Sequence, residues 1–204
     1  MNFDFTMNIL QIFAKSPVAN QVKTRLIPDL GAEAATKLYE RLTLHCLNRF
    51  AQKFDTQLWC APDITHPFFK HCQQHYPISL HQQQGKDLGE RMAFALGSTS
   101  QPTLLIGSDC PSLQSADIQA GFDVLQSNYQ VVLAPAEDGG YVLVGMKQVI
   151  SELFQSMPWS TNQVLAETRQ RLRTLKVSWY ELAMQWDVDR YEDVQRLEKL
   201  QLLY

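Results

Sequence analysis

Short apolar runs separated by longer stretches of helical period recur along the whole 204-residue chain, and no other feature limits its folds so strongly. Asn8-Ile9-Leu10-Gln11-Ile12-Phe13-Ala14 opens as a strand. Past a loop that reaches Gly31, Ala35, Leu38, Leu42, Cys46 and Phe50 recur at spacings of three and four, the stripe of an amphipathic helix. Residues 57–61 and 78–80 read as strands and 88–95 as a helix. Thr103-Leu104-Leu105-Ile106-Gly107 is apolar on both faces, as a buried central strand must be. Ile118, Phe122 and Leu125 mark another helix, and residues 131–134 and 141–144 two more strands. Ser160-Thr161-Asn162-Gln163 fits a capping box ahead of a helix carrying Val164, Leu165, Leu172 and Leu175. A last strand near Val177 precedes a charged helix through Leu197 and Leu200. This order predicts an α/β three-layer sandwich, a mostly parallel central sheet with helices on both faces.

With no repeat, low-complexity tract or Pro/Gly/Ser-rich linker, residues 1–204 are expected to form one domain. A chain this long buries about 70% of its unfolded surface and needs no covalent staple. Its 18 basic and 21 acidic side chains give a net charge of −3, so neither nucleic acid nor an anionic membrane is an expected partner. Cys46, Cys60, Cys72 and Cys110 contain no C-x-x-C pair and read as reduced thiols. The first thirteen residues carry Asp4 and no Lys or Arg, unlike a secretory leader. No apolar run approaches the ~18 residues of a membrane helix, and a cytoplasmic protein is expected.

In such sheets ligands sit beyond the carboxyl ends of the strands, so the loops there are the places to look for chemistry. Lys15, Lys23 and Arg25 fall within the loop after the first strand, a mixture of ammonium and guanidinium groups suited to phosphate. Lys23-Thr24 is shared with P-loops, but Pro17 and Val22 stand where the two glycines belong, so a P-loop is rejected. A solvated surface loop is the competing reading. Asp109 ends the central strand in Gly107-Ser108-Asp109-Cys110-Pro111, where a carboxylate can hold magnesium together with substrate phosphates, or merely cap the turn before Pro111. Cys110 has no neighbouring His and reads as a small buried residue.

Pro135-Ala136-Glu137-Asp138-Gly139-Gly140-Tyr141 joins two strands. Its glycines would let backbone approach a ligand while Glu137 or Asp138 holds a hydroxyl or acts as base. A plain Asp-Gly hairpin turn is the alternative. Asp187-Val188-Asp189-Arg190-Tyr191-Glu192-Asp193 offers a second metal ligand and also a capping box of Asp189 with Glu192. Asp187 and Asp189 are expected to face opposite ways, which would let both roles coexist. His66, His71, Cys72 and His75 read as part of a polar surface helix, and the Trp and Phe residues as core.

Taken in order, residues 15–26, Lys86-Asp87-Leu88-Gly89-Glu90-Arg91-Met92, 107–111, 135–141 and 187–193 resemble the bacterial radical-SAM/selenodomain-associated glycosyltransferase family. That family is similar to molybdopterin and phospholactate guanylyltransferases, within the GT-A nucleotide-diphospho-sugar transferases. The resemblance spans residues 8 to about 200 and implies a Rossmann-like GT-A fold. It implies Mg2+ (or Mn2+) on Asp109 and Asp189, and a nucleotide held by Lys15, Ser16, Pro17, Lys23, Thr24, Arg25 and Ser108, with Asp87 and Arg91 bordering the base or substrate. Glu137, Asp138, Gly139, Gly140 and Tyr141 would face the acceptor. Asn20 stands where the family usually has glycine, a substitution that a left-handed backbone tolerates better in Asn than in most residues.

The expected reaction is nucleotidyl transfer from a nucleoside triphosphate to a small anionic metabolite, pyrophosphate departing, with Lys23, Arg25, Asp109 and Asp138 in the machinery. Three loop cations suit a departing pyrophosphate, and catalysis of this kind is mostly positioning and charge neutralisation. The alternatives are glycosyl transfer from a nucleotide-sugar, with Asp138 as base, and nucleotide binding without turnover.

Overall fold

A computed structural model describes residues 8–202. Asp4, used above against a secretory leader, lies outside them. The strands form one sheet in the order β3-β2-β1-β4-β6-β5-β7. They are β1 (Ile9–Lys15), β2 (Asp55–Ala61), β3 (Ile78–Gln82), β4 (Thr103–Gly107), β5 (Val131–Pro135), β6 (Tyr141–Met146) and β7 (Trp179–Glu181). All pairs are parallel except those of β6, which runs antiparallel to β4 and β5. The mostly parallel sheet predicted from the alternation is therefore present, and the acidic glycine turn is the tight connection that forces β6 to reverse.

Two cores cover the two faces. On one, Leu10, Ile12, Leu58, Cys60, Leu104 and Ile106 meet residues of α2 (Ala32–Phe50), α3 (Pro67–His75) and α5 (Ser115–Gln126). On the other, Trp59, Leu105, Leu133 and Val144 meet α4 (Leu88–Leu96) and α6 (Val164–Thr174). Neighbouring strand residues point to opposite faces, so the unbroken apolar run of β4 is what a strand packed on both sides requires. The short α1 (Ile27–Leu30) precedes α2, and α7 (Tyr191–Lys199) closes the chain. A third cluster joins Leu26 of the first loop, Ala35 and Leu42 of α2, Trp186 and Val188, and Val194 and Leu197 of α7. It presses the carboxyl-terminal segment against the loop after β1, although the two are separated by about 160 residues of sequence.

Both predicted capping boxes are replaced by other arrangements. At α6, Gln163 precedes the helix without a side-chain cap, and the Thr161 hydroxyl donates instead to the carbonyl of Pro158 at 2.7 Å. At α7 the Asp193 carboxylate accepts the backbone N–H groups of Asp189 (3.0 Å) and Arg190 (2.7 Å), which releases the Asp189 side chain from capping duty. His71 and His75 are exposed on α3 with ring centroids 4.1 Å apart.

Candidate active site

The loop leaving β1 is pinned at both ends. Ser16 donates its N–H to the carbonyl of Ala61 at 2.7 Å, and Ser16, Pro17, Val22 and Leu26 are buried. Between them Asn20 (φ 65°) and Lys23 (φ 47°) adopt left-handed backbone, which Asn tolerates better than most residues. Non-glycine residues held in that region are strained and cluster at functional sites. The turn at Lys23 sends its side chain inward, where only 6% is exposed and the ammonium donates to Asp109 at 2.6 Å. Burial by itself would lower the Lys23 pKa; Asp109 first, then Asp187 and Asp189, outweigh it and hold the ammonium above its ordinary range. Arg25 remains exposed and pairs with Asp189, while Thr24 is exposed beside it.

Asp109 sits one residue beyond Ser108 at the carboxyl end of β4. A Cβ on Gly107 would lie 2.9 Å from its carboxylate, so glycine is what gives that carboxylate room. Ser108 points the other way: its hydroxyl is buried within reach of Thr43 (3.3 Å) and Tyr39 (3.5 Å). This differs from the nucleotide contact inferred for it, because the side chain before Asp109 must alternate into the core. The segment from Gln185 to Asp189 is laid along this strand end. Val188 donates its N–H to the Asp109 carbonyl (3.1 Å), and the Trp186 carbonyl accepts from Cys110 (3.1 Å) and Ser112 (3.1 Å). Cys110 is thus a packing residue, its thiol pushed up to about 11 mainly by burial.

Val188 is fully buried, and Asp187 and Asp189 both line the cavity on its other side. The expectation that they part is therefore corrected: residues i and i+2 of an extended segment share a face. Asp187 is pushed up to about 7, first by burial and then by the charges of Asp109 and Asp138, against the pull of Lys23. Asp187 is the residue the sequence reading undervalued; the i, i+2 spacing from Asp189 was the signal for it.

In the acidic turn Ala136 donates to the Gly140 carbonyl at 3.0 Å and Asp138 accepts the Gly140 N–H at 2.9 Å. Gly139 takes φ 90°, and a Cβ there would lie 2.4 Å from the Asn162 carbonyl. Backbone contact with residues 160–165 therefore demands glycine. Glu137 is held by Arg196 at 2.9 and 3.2 Å, and that guanidinium stacks 4.2 Å from the centre of the Trp186 ring. Tyr141 departs from its expected acceptor role: its ring joins the core under α6, and burial raises its hydroxyl above the ordinary range, with Thr168 bonding it there.

These loops line two cavities. One, of about 220 Å³, lies between the first loop, the end of β2 and α4, and is lined by Lys15, Ser16, Gln21 and Arg91. Arg91 is held there by its bond to the Gly85 carbonyl (3.1 Å), while Asp87 caps α4 by accepting the Glu90 N–H (2.8 Å). The other, of about 300 Å³, contains Glu137, Asp138, Asp187 and Asp189 together with Ser160, Thr161 and Asn162. Among the described residues no three acidic, His or Cys side chains gather closely enough to hold a cation unaided. Asp187 and Asp189 line one cavity, and magnesium takes as few as one or two protein carboxylates when substrate phosphates and waters complete its shell.

Residues 44–161 match the sequence family described as "Uncharacterized protein conserved in bacteria (DUF2064)". The chain belongs to that family. The DUF2064 match takes in Asp87, Arg91, Asp109 and the whole acidic glycine turn. No curated protein sequence matches the chain. Among solved structures it is similar to a provisionally assigned nucleotide-diphospho-sugar transferase from Desulfovibrio desulfuricans G20, at TM-score 0.86 and 26% identity over 96% of this chain and 87% of that one. The inositol-1-phosphate CTP transferase from T. maritima aligns at TM-score 0.64 and 9% identity, covering 97% of this chain and 95% of that one. Glucosyl-3-phosphoglycerate synthase from Mycobacterium tuberculosis, solved with Mn2+, UDP and phosphoglyceric acid, aligns at TM-score 0.52 and 10% identity over 97% and 76%. The DUF2064 protein thus has the Rossmann-like fold of nucleotide-diphospho-sugar transferases, and its neighbours support a transferase. No helix among the described residues is long and apolar enough to cross a membrane.

Proposed function

We propose that residues 1–204 act as one transferase domain that moves a nucleotidyl group from a nucleoside triphosphate to a small acceptor, with release of pyrophosphate. The observation carrying this reading is the alternation of charge at the carboxyl end of β4: Lys23 on Asp109 and Arg25 on Asp189, pairs 86 and 164 positions apart in sequence. Free buried thiols suit the reducing cytoplasm, where we place the reaction.

Lys15 and Arg91, with no carboxylate lining their cavity, hold the phosphates; Ser16 and the turn through Asn20 shape the backbone around them. Asp109 and Asp189, with Asp187 beside them, would hold magnesium, or manganese in its place. When bound, the ion neutralises and orients phosphate charge. Lys23 fixes the Asp109 carboxylate, and Arg25 is exposed enough to turn from Asp189 to the departing phosphates. An acceptor oxygen in the second cavity bonds the α-phosphorus in line as the bond to the bridging oxygen breaks, and Asp138 receives the proton when that oxygen is a hydroxyl. Positioning and charge account for most of the acceleration in such transfers.

A second reading, glycosyl transfer from a nucleotide-sugar, is favoured by the likeness to the Desulfovibrio protein. Labelled nucleotides separate the two. Pyrophosphate release supports nucleotidyl transfer, and release of a nucleoside diphosphate supports glycosyl transfer. Magnesium-dependent nucleotide binding without consumption under any acceptor would leave a binding protein and sink both.

A further inference from the structure

We infer that the second cavity takes a neutral, polyhydroxylated acceptor about the size of one sugar ring, and not the anionic metabolite that three loop cations first suggest. The inference rests on the transferase reading above and narrows its acceptor. At about 300 Å³ the cavity lies at the small end of ligand sites.

Its charges are unevenly spent. The lining carries five carboxylates and two guanidinium groups. Glu137 is neutralised by Arg196, Asp189 by Arg25, and Asp193 is occupied at the start of α7. Asp138 and Asp187 carry no ion pair among the described residues. Asp138 has one oxygen bonded to the Gly140 N–H, and its other oxygen has no bond among the described residues. Opposite them stand the uncharged groups of Ser160, Thr161 and Asn162.

An anionic acceptor entering beside Asp138 would meet a carboxylate that has no ion pair among the described residues, and like charges in a recess are costly. An ammonium would meet Arg25 and Arg190. Hydroxyl groups donate to carboxylates and both donate to and accept from Ser, Thr and Asn, so a polyol matches Ser160, Thr161, Asn162 and the unbonded oxygen of Asp138. Its reacting oxygen bonds the α-phosphorus, pyrophosphate leaves with the electrons of the broken bond, and the hydroxyl proton passes to Asp138.

Glucose, glucuronate and glucosamine share one ring and differ in charge, which makes them suitable probes. Each is titrated by calorimetry into the full chain with magnesium and a non-hydrolysable triphosphate analogue. Glucose is expected to bind about tenfold or more tightly than either charged relative. Asp138→Asn keeps an oxygen for the Gly140 N–H but removes the charge; it should weaken glucose about tenfold and leave the analogue's titration unchanged. Preference for glucuronate or glucosamine, or indifference to all three while the analogue binds, overturns the polyol assignment and leaves the nucleotide reading standing. Failure of the analogue to bind removes the transferase reading and this acceptor with it.

Discussion

The two cavities are built on opposite principles. The smaller is lined by cations, amide and hydroxyl, with Lys15 and Arg91 contributing charge and no carboxylate in reach. The larger carries five carboxylates, of which Asp189 is paired with Arg25 and Glu137 with Arg196. A protein of net charge −3 could scatter its charges; this one sorts them between two cavities. In the proposed function, the separation would let one cavity gather phosphate while the other takes an uncharged substrate. A site that must bring a polyanion against a second substrate gains from holding the two fields apart.

Breaking the Lys23–Asp109 pair has the largest expected effect. Asp109→Asn should lower turnover ~10²-fold or more, as loss of a charge-stabilising group does. It should also destabilise the protein, by about 3 kcal/mol, because Lys23 is left charged and buried. Unchanged turnover together with an unchanged melting temperature would mean that the pair supports neither.

Within the acidic cavity, Asp187 supplies a pH test. Its carboxyl is pushed up to about 7 from 3.8, so between those values the folded chain keeps a proton that the unfolded chain has released. Stability of the metal-free protein should therefore fall as the pH rises through that window. Asp187→Asn should recover on the order of 2 kcal/mol at pH 8 in the presence of a chelator, while impairing magnesium-dependent turnover. Chemical denaturation at pH 5 and pH 8 checks the first half; a variant no more stable than the parent at pH 8 would deny that the acidic cavity stores repulsion.

Arg91→Ala should weaken nucleotide binding about tenfold and spare acceptor binding. A loss confined to the acceptor would reverse the assignment of the two cavities. Gly139→Ala should act on the other side only. Strain at φ 90° and collision with the Asn162 carbonyl cost about 1–3 kcal/mol and should raise the acceptor KM more than that of the nucleotide. The smallest effect expected is none. Cys60 and Cys72 are pushed up to about 12 and Cys110 to about 11, in each case first by burial, so a thiol reagent at pH 8 should label the native protein slowly and the unfolded one fully.

Local pattern reached far into this protein. The two-sided apolar run of β4, the stripe of α2 and the alternation of strands with helices follow from periodicity, because each residue's partner face is set within a turn or two of chain. The placement of Asp109 at a strand end was legible for the same reason. The capping boxes were not: Ser160 to Gln163 and Asp189 with Glu192 match the pattern, but residues 160–165 are recruited by the turn at Gly139, and Asp193 takes the cap at α7. Ser108 and Tyr141 sit in the right segments and point into the core, which a motif read as a string cannot distinguish.

The sequence by itself determined the layers of the sheet, the strand end at which an acidic residue would emerge and the gathering of cations in the loop after β1. Only the tertiary structure decided that Lys23 is buried against Asp109, that Arg25 reaches Asp189, and that the charges divide into two cavities. The reason is range. Periodicity reports which face of an element is apolar, whereas these contacts join residues 86 and 164 positions apart. They come together through the packing of Leu26, Val188 and Leu197 into one cluster, and no local stretch of sequence contains that cluster.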